Sequence, residues 1–191
     1  VTAPPVETHR LTKSYGAARG VEDLDLRVEA GEVFGFLGPN GAGKSTAIRT
    51  LLDFQRPTSG TASVLGLDSV ADSLAIRRRV GFLSSDLSLF DRLTGQEHVA
   101  FFSKARGGHD EAFTAGMVER FGVELHRPIK ELSKGNRQKV GLLLAFMHRP
   151  ELLILDEPTT GLDPLVQTEF EHLLRETIGE GRTVMLSSHS L

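Results

Sequence analysis

Gly38-Pro39-Asn40-Gly41-Ala42-Gly43-Lys44-Ser45-Thr46 constrains this chain more than any other stretch. It has the form G-x-x-x-x-G-K-[ST] and directly follows the apolar run Val33-Phe34-Gly35-Phe36-Leu37. A strand that feeds a glycine-rich turn and then opens a helix is the setting a phosphate-binding loop requires. Glycines at 38, 41 and 43 open backbone angles closed to other residues, so consecutive N–H groups can converge on phosphate oxygens. The helix expected from Lys44 adds the positive end of its dipole. In that setting Lys44 reaches the β- and γ-phosphates as a point charge, and the Ser45 hydroxyl ligates Mg²⁺. The stretch therefore predicts binding of a nucleoside triphosphate.

The 191 residues suffice for one domain with a substantial core. A net charge of −3 leaves no footprint for bulk nucleic-acid binding, which usually needs a basic face, and no nucleic-acid partner is expected. The basic run Arg77-Arg78-Arg79 reads as a solvated helix end. Cysteine is absent, which excludes disulfides and thiolate chemistry, and the seven histidines show no metal-ligand spacing. The longest apolar run, Val140 to Met147, falls far short of the ~20 residues that span a bilayer. Val1-Thr2-Ala3-Pro4-Pro5 lacks the basic and apolar regions of a signal peptide. The chain starts without methionine and stops after Ser187-Ser188-His189-Ser190-Leu191, which reads as a trimmed segment of a longer chain.

Strand patterns fall at 6–11, 21–28, 33–37, 61–65, 80–83, 152–155 and 183–186. Helical patterns fall at 44–54, 69–79, 96–105, 110–121, 136–148 and 164–178, with Gly107-Gly108 and Pro150 as breaks. The order is an α/β core interrupted by a mostly helical insertion. In the second half, Leu152-Leu153-Ile154-Leu155-Asp156-Glu157 is an apolar strand ending in two carboxylates. Strand residues alternate in direction, so the two acids can serve different tasks. Asp156 is suited to hold Mg²⁺ through water, the Walker B role, and Glu157 to polarise an attacking water as general base.

With these motifs in order, the sequence resembles the nucleotide-binding subunit of ATP-binding cassette (ABC) transporters over nearly its whole length. Leu132-Ser133-Lys134-Gly135-Asn136-Arg137-Gln138 is similar to the family signature, usually L-S-G-G-Q. Pro158-Thr159-Thr160-Gly161-Leu162-Asp163 resembles the D-loop, with Asp163 as its acid, and Ser187-Ser188-His189 the switch segment, with His189 sensing the γ-phosphate. Tyr15 stands where the family places the aromatic that stacks on adenine; by itself it reads more readily as a packing residue. Ser133 and Gly135 read either as a helix N-cap or as a second anion site made of hydroxyl, backbone N–H and helix dipole. The resemblance implies that this second site, with Asn136, serves the nucleotide of a partner subunit. Two copies, a homodimer on this reading, would sandwich two ATP molecules head to tail. Lys44, Glu157 and His189 would be the catalytic residues.

The resemblance implies an α/β P-loop NTPase fold: a mixed sheet flanked by helices, an N-terminal antiparallel β-subdomain and the helical insertion. On that plan 1–191 is one nucleotide-binding domain, C-terminally incomplete, with 1–85 and 149–191 as catalytic core and 86–148 as helical subdomain. Its activity would be Mg²⁺-dependent ATP hydrolysis powering export through a separate integral membrane permease. The subunit would sit in the cytoplasm at the inner membrane face, and the Ser-Lys-Gly-Asn form looks most like drug and antibiotic exporters. An ABC-type ATPase acting on ribosomes or DNA is the alternative. One departure stands out. The family's Q-loop glutamine aligns with Ser85, too short to touch both Mg²⁺ and the attacking water, so a bridging water or Asp86 would have to substitute. Around it, Phe90 and Leu93 are expected to dock the permease, and Phe101 and Phe102 to fill the insertion's own core.

Overall fold

In the computed structural model the described residues are 3–16 and 18–189. Val1 and Thr2, read above as part of a leaderless start, and Ser190 and Leu191, read as the trimmed end, lie outside them, as does Ala17. Eight strands and six α-helices form two sheets among the described residues. The first sheet is antiparallel, in the order β2-β1-β4-β5, from β1 (Val6–Tyr15), β2 (Ala18–Val28), β4 (Ser59–Val64) and β5 (Leu67–Asp68). The second is parallel throughout, in the order β3-β8-β7-β6, from β3 (Val33–Leu37), β6 (Val80–Leu83), β7 (Leu152–Asp156) and β8 (Thr183–Ser188). The first sheet is the antiparallel β-subdomain expected at the N-terminus, and the core sheet, expected to be mixed, is parallel throughout among the described residues.

β7 is buried along its whole length, as a central parallel strand should be. Its alternation divides the interior. Leu152 and Ile154, with Met185, face a core shared with the antiparallel sheet and with Ile48 and Leu51 of α1 (Lys44–Leu51). Leu153 and Leu155, with Val184, face the opposite core. That second core is filled by α3 (Gly95–Arg106), α4 (Glu111–Phe121), α5 (Lys134–Phe146) and α6 (Pro164–Gly179), through Val99, Phe121, Leu143, Phe146 and Phe170. The insertion shares its core with the sheet.

Local chemistry sets the helix starts. Thr94 and Glu97 form a reciprocal capping box on α3, while Asp110, Ser133 and Asp163 cap α4, α5 and α6. α2 begins at Ser73 rather than Ser69. Asp68 Oδ1 accepts the N–H groups of Val70 and Ala71, and Asp72 Oδ2 that of Asp68, which holds the preceding backbone in a turn. β5 went unforeseen because its hairpin turn places Leu65 at φ 53° ahead of Gly66 at φ 75°, and a leucine gives no turn signal.

Candidate nucleotide site

All four parallel strands end at one edge, and the crevice outside such an edge is where open α/β sheets bind ligands. Leu37 runs into the glycine-rich loop, Asp156 into Glu157, Ser188 into His189, and Leu83 into Ser84-Ser85-Asp86. The loop is anchored to the sheet by the Gly38 N–H, which donates to the Ser188 carbonyl at 3.3 Å. Gly43 ends it at φ 89°, where an added Cβ would sit 2.5 Å from the Gly20 carbonyl oxygen of β2. Only glycine satisfies both constraints. α1 then starts with no acidic residue in its first turn, so its N–H groups face a site free of competing carboxylates on the same helix.

The resulting cradle of about 260 Å³ is lined by Asn40 through Thr46, Ser85 and Glu157. A second cavity of about 560 Å³ adjoins it at Gly41 and Ala42 and is lined by Thr12, Lys13, Ser14, Gly16, Gly20, Val21 and Glu22. Seven of the eight predicted loop residues that follow Gly38 thus touch one cavity. Lys44 is 7% exposed, with Nζ donating to the carbonyls of Gly38 at 2.5 Å and Pro39 at 3.3 Å and lying 3.9 Å from Glu157 Oε1.

Glu157 joins the loop to the last strand. Its Oε2 lies 2.9 Å from His189 Nδ1, so the parallel pairing of β7 and β8 brings the histidine beside the acid, as the sequence predicts. With a carboxylate accepting, Nδ1 carries the hydrogen and Nε2 is the nitrogen left to meet a ligand. Glu157 adopts φ 53°, a strained angle for a residue with a side chain. Its N–H donates to the carbonyl and the hydroxyl of Ser187, and the Gln138 amide donates to the Pro158 carbonyl at 3.0 Å, which together hold the turn.

Asp156 is 2% exposed, yet its carboxyl lies below the usual carboxylate range. Burial pushes it upward, and hydrogen bonds from Ser187, Ser45 and Ser85 outweigh that push. Ser187 Oγ donates to Oδ1 at 2.5 Å and Ser85 Oγ to Oδ2 at 2.7 Å. An ionised carboxylate beside the Ser45 hydroxyl is a set of hard oxygen donors, the type that Mg²⁺ takes, and the donor set fits that ion. Ser187, Ser85 as a donor to Asp156, and Gln138 had no role in the sequence reading. Of these only Ser187 carried a signal, through its place in the strand paired with β7.

Five predicted residues are engaged elsewhere. The Tyr15 hydroxyl donates to Gln55 Oε1 and the ring is 43% exposed, so its neighbours Ser14 and Gly16, rather than the ring, line the second cavity. Ser133 and Asp163 have their side chains occupied as N-caps, accepting from Asn136 N–H and Val166 N–H. Gly135 packs against the turn after β7, where an added Cβ would meet the Gly161 carbonyl at 2.8 Å. The Asn136 amide donates to Glu124 Oε2.

Asp86 does not substitute for a Q-loop glutamine. Its carboxylate points away, paired with Arg49 at 2.9 Å. On the far side of this segment, Ser84 and Asp86 line an apolar groove of about 530 Å³ with Leu87, Leu89 and Phe102. Phe90 is 56% exposed, and Phe101, expected in the insertion's core, is 51% exposed and meets Phe90 edge-on. Phe102 does pack on the core. α3 turns consecutive residues by about 100°, and here that step carries Phe101 out of the core while Phe102 stays in it.

Residues 21–160 match the family model described as ABC transporter. The chain belongs to the ABC transporter family. It is 37% identical over 96% of its length to the probable multidrug ABC transporter ATP-binding protein YbhF of Escherichia coli (strain K12), covering 33% of that protein. It is 38% identical over 97% of its length to the daunorubicin/doxorubicin resistance ATP-binding protein DrrA of Streptomyces peucetius, covering 58% of it. The chain thus spans a third to somewhat over half of these two ABC relatives. A solved ATP binding subunit of an ABC transporter superimposes with a TM-score of 0.87 at 32% identity, covering 97% of this chain and 80% of that one. The fold is that of an ABC cassette.

Proposed function

We propose that this chain is the ATP-binding and ATP-hydrolysing part of an ABC exporter, with 1–85 and 149–191 as catalytic core and 86–148 as helical subdomain. The observation that carries the reading is the convergence of Lys44 and His189 on Glu157 at the cradle, with Ser45 lining it and Asp156 behind. ATP lies with its phosphates on the N–H groups of 40–46 and its nucleoside over the second cavity towards Tyr15. Ser45 and Asp156 hold Mg²⁺, which neutralises charge developing on the phosphates. Lys44 leaves the loop carbonyls for the β- and γ-phosphate oxygens. Glu157 accepts a proton from the attacking water, and His189, held through Nδ1, presents Nε2 to the γ-phosphate. Ser133, Gly135, Asn136 and Asp163 complete the site of a second copy across a head-to-tail homodimer.

A membrane permease docks at the apolar groove and at Phe90, Leu93 and Phe101, placing the subunit at the cytoplasmic face of the membrane. Among the described residues no helix is long and apolar enough to cross a membrane, in keeping with a separate permease. The related proteins named for multidrug and daunorubicin/doxorubicin transport support a drug or antibiotic as cargo. Phosphate release by the purified protein tests the reading. Glu157→Gln is expected to lower turnover by at least about 100-fold while ATP binding persists. Undiminished turnover in that variant overturns the assignment of the base. Recovery with ribosomes or DNA, in place of a membrane protein, overturns the exporter.

A further inference from the structure

We propose that Ser85 is a positioning residue for the metal-facing carboxylate: with Ser45 and Ser187 it forms a cage of hydroxyl donors that fixes Asp156 for a divalent cation. This rests on the proposed roles of Asp156 and Ser45. Each Asp156 oxygen has its own hydroxyl donor, Ser187 on Oδ1 and Ser85 on Oδ2. A carboxylate gripped from opposite sides cannot turn about its last torsion without breaking a bond. An ionised carboxylate offers about four lone-pair positions, so three hydroxyl donors leave one to accept from metal-bound water.

The parallel register makes the short side chain sufficient. Leu83 pairs with Leu155, so the chain leaving β6 passes over the end of β7 two residues later. There the Ser85 hydroxyl reaches Asp156 Oδ2 at 2.7 Å. The segment is held in place from the side, since neighbouring Asp86 is bound to Arg49 of α1. Because Ser85 donates to the carboxylate, its oxygen keeps acceptor capacity, and the residue lines the cradle with Lys44, Ser45 and Glu157. A longer side chain would pass beyond Asp156 into the cradle; the serine stops at the carboxylate. The position thus acts on the metal side of the site rather than on the attacking water.

The test uses the whole chain carrying Glu157→Gln, so that nucleotide survives, with Mn²⁺ as probe, titrated in the presence of ATP and followed by electron paramagnetic resonance. Ser85→Ala is expected to weaken Mn²⁺ binding about tenfold, the lower end of what loss of a group supporting a metal ligand costs. Ser85→Thr, which keeps the hydroxyl, restores it. ATP affinity measured in excess chelator stays at the parent's value in both variants, and the melting temperature of Ser85→Thr matches the parent's. Unaltered Mn²⁺ affinity in Ser85→Ala overturns the proposal, as does an equal loss of chelator-insensitive ATP binding, which would mark a merely structural role. A parent protein that binds no Mn²⁺ with ATP would remove the nucleotide-site reading itself, and Ser85's role with it.

Discussion

One buried and one half-buried ionisable residue show how differently this chain treats charge. Asp156 stays ionised because hydroxyl donors surround it. His148 has the opposite setting: burial and then the Arg106 guanidinium push its pKa down to about 4. Arg106 donates to the carbonyls of Arg77 and Val80 and to His148 Nε2 at 2.7 Å, a bond that requires the neutral ring. Above pH ~6.5 the ring is neutral in both folded and unfolded chains, and stability does not depend on it. Between pH ~6.5 and about 4 the unfolded chain takes up a proton that the folded one refuses, so stability falls as pH falls. The loss is about 2 kcal/mol once solvent screening is allowed for. Urea melts at pH 7.5, 6 and 5 should show it, with a flatter profile in His148→Gln; parallel profiles would contradict it.

At the scale of elements, contact between helix α5 and strand β6 couples the insertion to the sheet. Gly81 lies in β6, where an added Cβ would come within 2.1 Å of the Ala145 carbonyl and 2.8 Å of Leu153 and Pro150 side-chain atoms. No rotamer change relieves a clash with a helix backbone, so α5 would have to lift from the sheet. Gly81→Ala is expected to cost at least about 2 kcal/mol, the upper half of what overpacking costs. The urea midpoint should drop at unchanged slope; an unmoved midpoint would mean that α5 sits less tightly. The same helix carries Ser133 and Gly135 at its start, so the placement of the signature depends on this packing.

For the whole molecule, the cradle and the signature are two helix N-termini, at α1 and α5, with separate tasks. Within one chain the cradle already has Lys44, Glu157 and His189. The signature side chains there serve only as caps and packing. In the proposed head-to-tail dimer, a second copy would give them a ligand. Analytical ultracentrifugation of Glu157→Gln with ATP and Mg²⁺ should show dimers, and with ATP omitted or with Lys44→Ala added, monomers. A protein that stays monomeric under all three conditions would refute the sandwich.

The sequence by itself determined the phosphate loop, the carboxylate pair at the end of β7 and the order of the elements. Each is a local pattern, readable from glycine spacing, strand alternation and capping residues within a few positions. It also pointed to His189 beside Glu157, because parallel strands of similar length bring their ends together. Only the tertiary structure decided what depends on register and rotamer between distant segments. Ser85 meets Asp156 across 71 residues and Ser187 meets it across 31. Asp86 pairs with Arg49, and Phe101 faces outward while Phe102 faces in. These outcomes rest on how strands align side by side and how helices rotate on the sheet, a cooperative result of packing that no short window of residues encodes.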